Sequence, residues 1–192
     1  MEPMPTRRSP LAMALLSLVC EAPMHAYRMQ QMIKERHKDD VVNVAQRNSV
    51  YQTIERLLRD GLLAVRETAR EENRPERTVY EATETGRETL RQWMHAMLST
   101  PAREFPEFPA ALAFLPVLPP QEALAALRQR IAALEARLSA LDTEIADGRT
   151  FLAPLFLVES EYQRVQIAAE LDFVRGLADD LGEGRLDWDY RI

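Results

Sequence analysis

Along the first hundred residues, apolar positions run at helical spacing, break, alternate as in strands, and return to helical spacing. Residues 10–21, PLAMALLSLVCE, are apolar on nearly all sides, which predicts a central helix with Pro10 in its first turn and Ser9 as N-cap. Ala22-Pro23 breaks it. A second helix is predicted over about residues 25–37, with Tyr27, Met29, Met32 and Ile33 inward and Arg28, Lys34 and Arg36 outward. In the polar connector that follows, Val41, Val42 and Val44 read as a small strand edge. A third helix is expected to begin at Asn48 or Ser49, where Ser49 and Gln52 have capping-box spacing. Val50, Ile54, Leu57 and Leu58 form its core stripe, leaving Ser49, Gln52, Thr53, Arg56 and Arg59 on the other side. Gly61 stands where a helix-ending C′ glycine would. Residues 62–68 and 77–82 alternate as a hairpin whose tip is REENRPE, residues 70–76. Thr83 then caps a fourth helix carrying Leu90, Trp93, Met94, Met97 and Leu98.

The second half has another texture. Six of the 12 prolines fall between residues 101 and 120, a hinge broken by one short apolar helix, Ala110 to Leu115. Beyond it Leu124, Leu127, Ile131, Leu134, Leu138, Leu141 and Ile145 alternate at steps of three and four. That heptad pattern predicts a seam against another helix, and these seven residues are the expected dimer contacts. Gly148 is expected to end that helix. The last helix, from near Pro154 to Leu181, carries Leu155, Val158, Tyr162, Val165, Ala169, Phe173 and Leu177. This stripe drifts, so bundle packing is expected rather than a strict coiled coil. The expected organisation is 1–98 a winged helix-turn-helix domain, 99–120 a proline-rich hinge and 121–192 a helical dimerisation domain. The fold class is mainly α with a small β-hairpin wing.

Composition narrows the function. With 46% hydrophobic and 28% charged residues, the chain has the make-up of a soluble globular protein. Its single cysteine, Cys20, excludes an internal disulfide framework and fits the cytoplasm. Arg7 and Arg8 ahead of an apolar stretch mimic a signal peptide, but no clean cleavage site follows, and the stretch reads as a core helix. No apolar run approaches a membrane span. The net charge of −6 is unevenly spread. Residues 1–98 hold 15 basic and 14 acidic residues, the remainder 9 and 16, so any nucleic-acid surface must be a local patch in the first half.

An exposed helix face followed by a hairpin with a charged tip is the plan that places a helix in the major groove and a loop on the adjacent backbone. Ser49, Gln52, Thr53 and Arg56 are the candidates for base edges, since Gln suits adenine, Arg guanine, and hydroxyls either partner. Tyr27 and Tyr51 each read two ways, as phosphate contacts or as packing. Arg70, Asn73, Arg74 and Arg77 are candidates for phosphate contact, Arg74 also for minor-groove insertion, against a loop neutralised by Glu71, Glu72 and Glu76. Trp93 reads as core, or with Met94, Met97 and Phe114 as the wall of a pocket for a small hydrophobic effector. His25, His37 and His95 are too scattered for a ligand motif, and no nucleophile elbow, P-loop or HExxH occurs. Neither enzyme activity, nor a metal, nor a cofactor is expected.

HAYRM, SVYQTIERLLRDGLL and RPERTVYEATETGRETL together resemble the PadR family of bacterial transcription regulators. They match its helix-two start, its Tyr-x-x-Leu-x-x-Leu-x-x-x-Gly-Leu recognition segment, and its wing and fourth-helix start. Asn48 stands where Gly is common and Ile54 where Leu is common. The resemblance is specific over residues 10–98 and rests on length and helix pattern over 105–182. It implies a homodimeric regulator, commonly a repressor, on double-stranded DNA carrying an inverted repeat. It also implies that some members release DNA on binding a small aromatic or hydrophobic effector. The rival reading is a protein–protein adaptor that uses the winged helix as scaffold and the heptad helix to recruit a partner.

Overall fold

Ser9 starts the first helix by chemistry local to it: its hydroxyl accepts from the Ala12 N–H at 3.1 Å, and Pro10 needs no partner in the first turn. The computed structural model describes residues 8–44, 47–69 and 77–188. The chain divides into two units, Met1–Arg103 and Glu104–Ile192. In the first, α1 (Pro10–Glu21) precedes a two-residue strand β1 (Met24–His25), α2 (Ala26–Glu35) and α3 (Arg47–Arg59). The strands β2 (Leu63–Ala69) and β3 (Arg77–Ala82) and the helix α4 (Glu84–Ser99) complete it. In the second, α5 (Glu107–Ala113) and a 3-10 turn (Leu115–Val117) lead to α6 (Pro120–Gly148), another 3-10 turn (Pro154–Leu157) and α7 (Val158–Gly182). The architecture is mainly helical with one small antiparallel sheet, a winged helix-turn-helix followed by long helices.

The first unit is built around α1, whose Ala12, Leu15, Leu16 and Val19 are sealed against Met29 and Ile33 of α2 and Val50, Ile54 and Leu57 of α3. Gly61, at φ 69°, ends α3 as expected. Its N–H bonds the Leu58 carbonyl and that of Leu62 the Leu57 carbonyl, the Schellman pattern. The chain thereby turns straight into β2. The strands lie in the order β1-β3-β2, with Met24 opposite Tyr80 and Leu63 opposite Ala82, and a bulge between Val65 and Glu67. Thr83 caps α4, accepting from the Gly86 N–H at 2.9 Å while donating to the Gly61 carbonyl at 2.7 Å.

Several local expectations are corrected. Val41–Val44 form no strand: Val42 and Val44 plug the core from a turn, and the third strand is Met24–His25, which the hairpin captures by pairing with β3. Ser49 is not a cap, because α3 starts at Arg47, so no capping box forms at Ser49. Tyr27 points outward, 53% exposed, because Ala26 and Met29 take the inner face of a shorter α2. On α4 only Trp93 of the expected stripe is buried, with Leu90 packed beside it and Leu98 fully outward at 82%. The short helix begins at Glu107, three residues early, since Pro109 is tolerated within a first turn.

The second unit is dominated by an antiparallel helical hairpin. Leu124 and Leu127 of α6 pack on Val174, Ala178 and Leu181 of α7, and Leu141 and Ile145 pack on Ile167. Ile131, Leu134 and Leu138 join these clusters half-buried. Arg130–Glu170, Arg175–Glu135 and Arg164–Asp142 cross the seam at 2.6, 2.6 and 2.5 Å. Exposed or half-buried pairs of this kind add little stability, but they suit only one register. The stripe expected on the last helix is not the one that packs here. Leu155, Val158, Tyr162, Val165, Ala169 and Phe173 are exposed, and α7 instead buries Ser160, Ile167, Leu171, Val174, Ala178 and Leu181.

Candidate nucleic-acid interface

The helix α3 has two faces of different chemistry. Val50, Ile54 and Leu57 face inward with no exposure worth the name. Asn48, Tyr51, Gln52, Glu55 and Arg59 are all exposed, at steps of three and four that define one outward stripe. Tyr51 therefore lies on the solvent side, 44% exposed, not beside the apolar stripe.

Two of the four expected base-reading residues are drawn inward. Thr53 is only 9% exposed and its hydroxyl donates to the Ser49 carbonyl at 2.7 Å, so it presents no free donor outward. Arg56 is half-buried: its Nη2 reaches toward Ser9 Oγ at 3.4 Å, and its Nε is buried without a partner among the described residues. Steps of four from the buried Val50 to Ile54, and of three to Leu57, put 53 and 56 on the flanks of the core rather than opposite it. Ser49 is half-buried and Gln52 exposed. Glu55 was not among the residues expected on this face, although its spacing from Tyr51, Gln52 and Arg59 already marked it.

Beside α3, the start of α2 offers a second polar cluster. His25 caps the helix by accepting the Arg28 N–H on Nδ1 at 3.0 Å, which requires that nitrogen unprotonated and leaves the proton on Nε2. The Tyr27 ring lies stacked 6.4 Å from the His25 ring. A hollow of about 410 Å³ there is lined by His25, Arg28, Arg66, Glu67 and Val79. Tyr80 of β3 has its phenol pushed above the ordinary value, chiefly by burial, against a hydrogen bond with Thr78 that lowers it. Residues 70–76, and so Arg70, Asn73 and Arg74, lie outside the described residues, as does the side chain of Arg77.

The remaining candidates divide between the two units. Trp93 is core of the first unit, Met94 is 39% exposed and Met97 half-buried, whereas Phe114 belongs to the second unit and is 71% exposed. The α6 seam expected to face a partner copy is largely covered by α7 of the same chain. Burial, partly offset by Arg87, raises the Cys20 thiol above its ordinary value, which favours the unreactive form. Among the described residues no cluster of three or more His, Cys, Asp or Glu could hold a metal, and no helix is long and apolar enough to cross a membrane.

No curated protein sequence matches the chain. Solved structures do. Bacillus subtilis PadR in complex with operator DNA superposes with a TM-score of 0.70 at 18% identity, covering 90% of this chain and 99% of that one. The same regulator in complex with p-coumaric acid gives 0.70 at 18%, over 90% and 98%. A PadR-like regulator from Bacillus cereus gives 0.63 at 14%, over 91% and 99%. Residues 15–92 match the profile of the transcriptional regulator PadR-like family. That span runs from the middle of α1 through the helix-turn-helix and sheet into α4. Residues 15–92 thus resemble the PadR-like family of transcriptional regulators in sequence, and the chain has the fold of the solved PadR regulators over nine-tenths of its length.

Proposed function

We propose that this protein is a homodimeric, cytoplasmic repressor that binds an inverted-repeat operator with α3 in the major groove. The observation that carries this reading is the outward stripe of α3, with Asn48, Tyr51 and Gln52 exposed, on a helix that leads at once into the β2–β3 hairpin. Gln52 is the candidate for bidentate contact with adenine. Tyr51, Tyr27 and the His25 Nε2–H suit phosphate oxygens. Thr53 and Arg56 are assigned to supporting the helix from behind. Dimerisation is assigned to α7 rather than to the α6 seam. Its outer stripe keeps Val158, Tyr162, Val165 and Phe173 between 55% and 63% exposed, over about 22 Å of helix. An apolar strip of that length is what a partner copy would cover. Two copies would present two α3 helices about 34 Å apart, or a multiple of it.

A small hydrophobic effector is supported by a cavity of about 400 Å³ within the second unit, not by Trp93. Phe108, Leu112, Phe114, Leu115 and Leu127 line it, and Arg130 stands over the Phe108 ring at 3.6 Å. Its size and apolar walls suit a small flat molecule, the class to which the p-coumaric acid bound by the Bacillus subtilis relative belongs.

Selection of bound duplexes from a random pool tests the main reading. Recovery of an inverted repeat, lost on Gln52→Ala with Tyr51→Ala in a still-folded protein, is the expected result. Absence of any selected sequence would leave the adaptor reading, in which the α7 stripe recruits a different protein. Loss of the gene should raise, not lower, transcription from promoters holding the repeat.

A further inference from the structure

The exposed stripe of α3 carries one acidic residue. Glu55 lies three residues after Gln52, four after Tyr51 and four before Arg59, on the same outward face. It makes no ion pair among the described residues. The cation next to it in sequence, Arg56, turns inward to Ser9, and Arg59 reaches Asp60 at 3.3 Å. A carboxylate on a face that enters a duplex is repelled by closely spaced phosphates, so it weakens binding to DNA in general. It becomes favourable only where the groove offers it a donor.

Resting on the DNA-binding reading above, we propose that Glu55 is a specificity-determining residue that reads cytosine through the N4 amino group. In the major groove that amino group has the guanine O6 acceptor on one side and only a C–H on the other. The adenine N6 amino group lies between two acceptors, N7 and the thymine O4, which would repel a carboxylate. Glu55 thus discriminates chiefly by penalty: guanine and thymine leave a desolvated charge facing acceptors or a methyl group, and adenine offers its one donor only between two acceptors. Gln52, one turn earlier, supplies the complementary attraction.

The test is selection from a random duplex pool with the full-length protein and its Glu55→Gln and Glu55→Ala variants. Wild type is expected to fix one cytosine in each half-site. In both variants that position is expected to become degenerate while the rest of the motif persists. The preference there should fall from about 10- to 100-fold to within a few-fold, and binding to unrelated DNA should strengthen. Both changes are on an exposed helical surface, and unchanged circular dichroism confirms folding. Variants that return the wild-type motif overturn this assignment and leave the DNA-binding reading intact. Relaxation at a fixed base other than cytosine overturns the assignment of the base. A wild type that selects nothing removes both readings together.

Discussion

At Gly86, α4 presses directly on the backbone that leaves α3. A Cβ there would meet the Leu62 carbonyl oxygen at 2.1 Å, and a main-chain oxygen cannot swing aside as a flexible side chain could. Gly86→Ala is expected to destabilise the first unit by about 1–3 kcal/mol, or to prevent folding, as read by denaturant unfolding. Gly61→Ala should cost about 1 kcal/mol through its left-handed backbone alone, since open space surrounds it. A third residue-scale prediction concerns acid. Arg36 forks onto Glu21 with two bonds of 2.7 Å, and that hydrogen bonding holds the Glu21 carboxyl below its ordinary value of 4.5. A carboxyl depressed in the folded state contributes stability above its ordinary value and loses it as pH falls through the folded value. The melting temperature of Glu21→Gln should therefore lie slightly below wild type at neutral pH and converge with it in acid, below about 4. Both side chains are nearly half exposed, so the effect should stay under about 1 kcal/mol. A difference independent of pH would show that the pair contributes nothing.

Among the elements, α7 separates what two apolar stripes do. Leu141→Ala on α6 opens a cavity facing α7 and should destabilise the hairpin by about 2–4 kcal/mol. Val165→Glu, on the outer stripe, should leave the helical content intact and convert a dimer to a monomer in light scattering. If Val165→Glu stays dimeric, the outer stripe is not the contact between copies. The sequence displayed α6 clearly, because a strict three-four repeat has one geometric solution. It also displayed α1, the Gly61 stop and the Thr83 cap, where chemistry is local. It could not show which side of α7 packs inward, because Val158, Tyr162, Val165, Ala169 and Phe173 are as apolar as the true inner set and only the partner helix chooses between them. The strand at Met24–His25 was invisible for a similar reason: two residues carry no alternation, and pairing with β3 alone makes them a strand. On α3, treating everything off the core stripe as outward overlooked the flanks, where Thr53 and Arg56 lie.

For the whole molecule, charge and connection matter more than any one contact. The excess of acid lies after residue 98 in the sequence, outside the helix-turn-helix, and a net negative charge of the whole chain should hold down indiscriminate binding to DNA. A fragment ending at Arg103 should be monomeric and should bind a half-site at least 100-fold more weakly than the intact protein binds the full repeat, as measured by fluorescence anisotropy, because the linkage of two half-sites is lost. A fragment with undiminished affinity would contradict the two-copy account. The Thr83 hydroxyl gives the last point its force. One oxygen atom closes the turn behind α3 and opens α4, so the end of α3 and the hairpin root are tied to backbone on both sides by bonds under 3 Å through one short side chain. Such a joint has little give. When protein and duplex differ in shape, the bending must fall to the nucleic acid, and stiff sequences should be refused even where every base is correct.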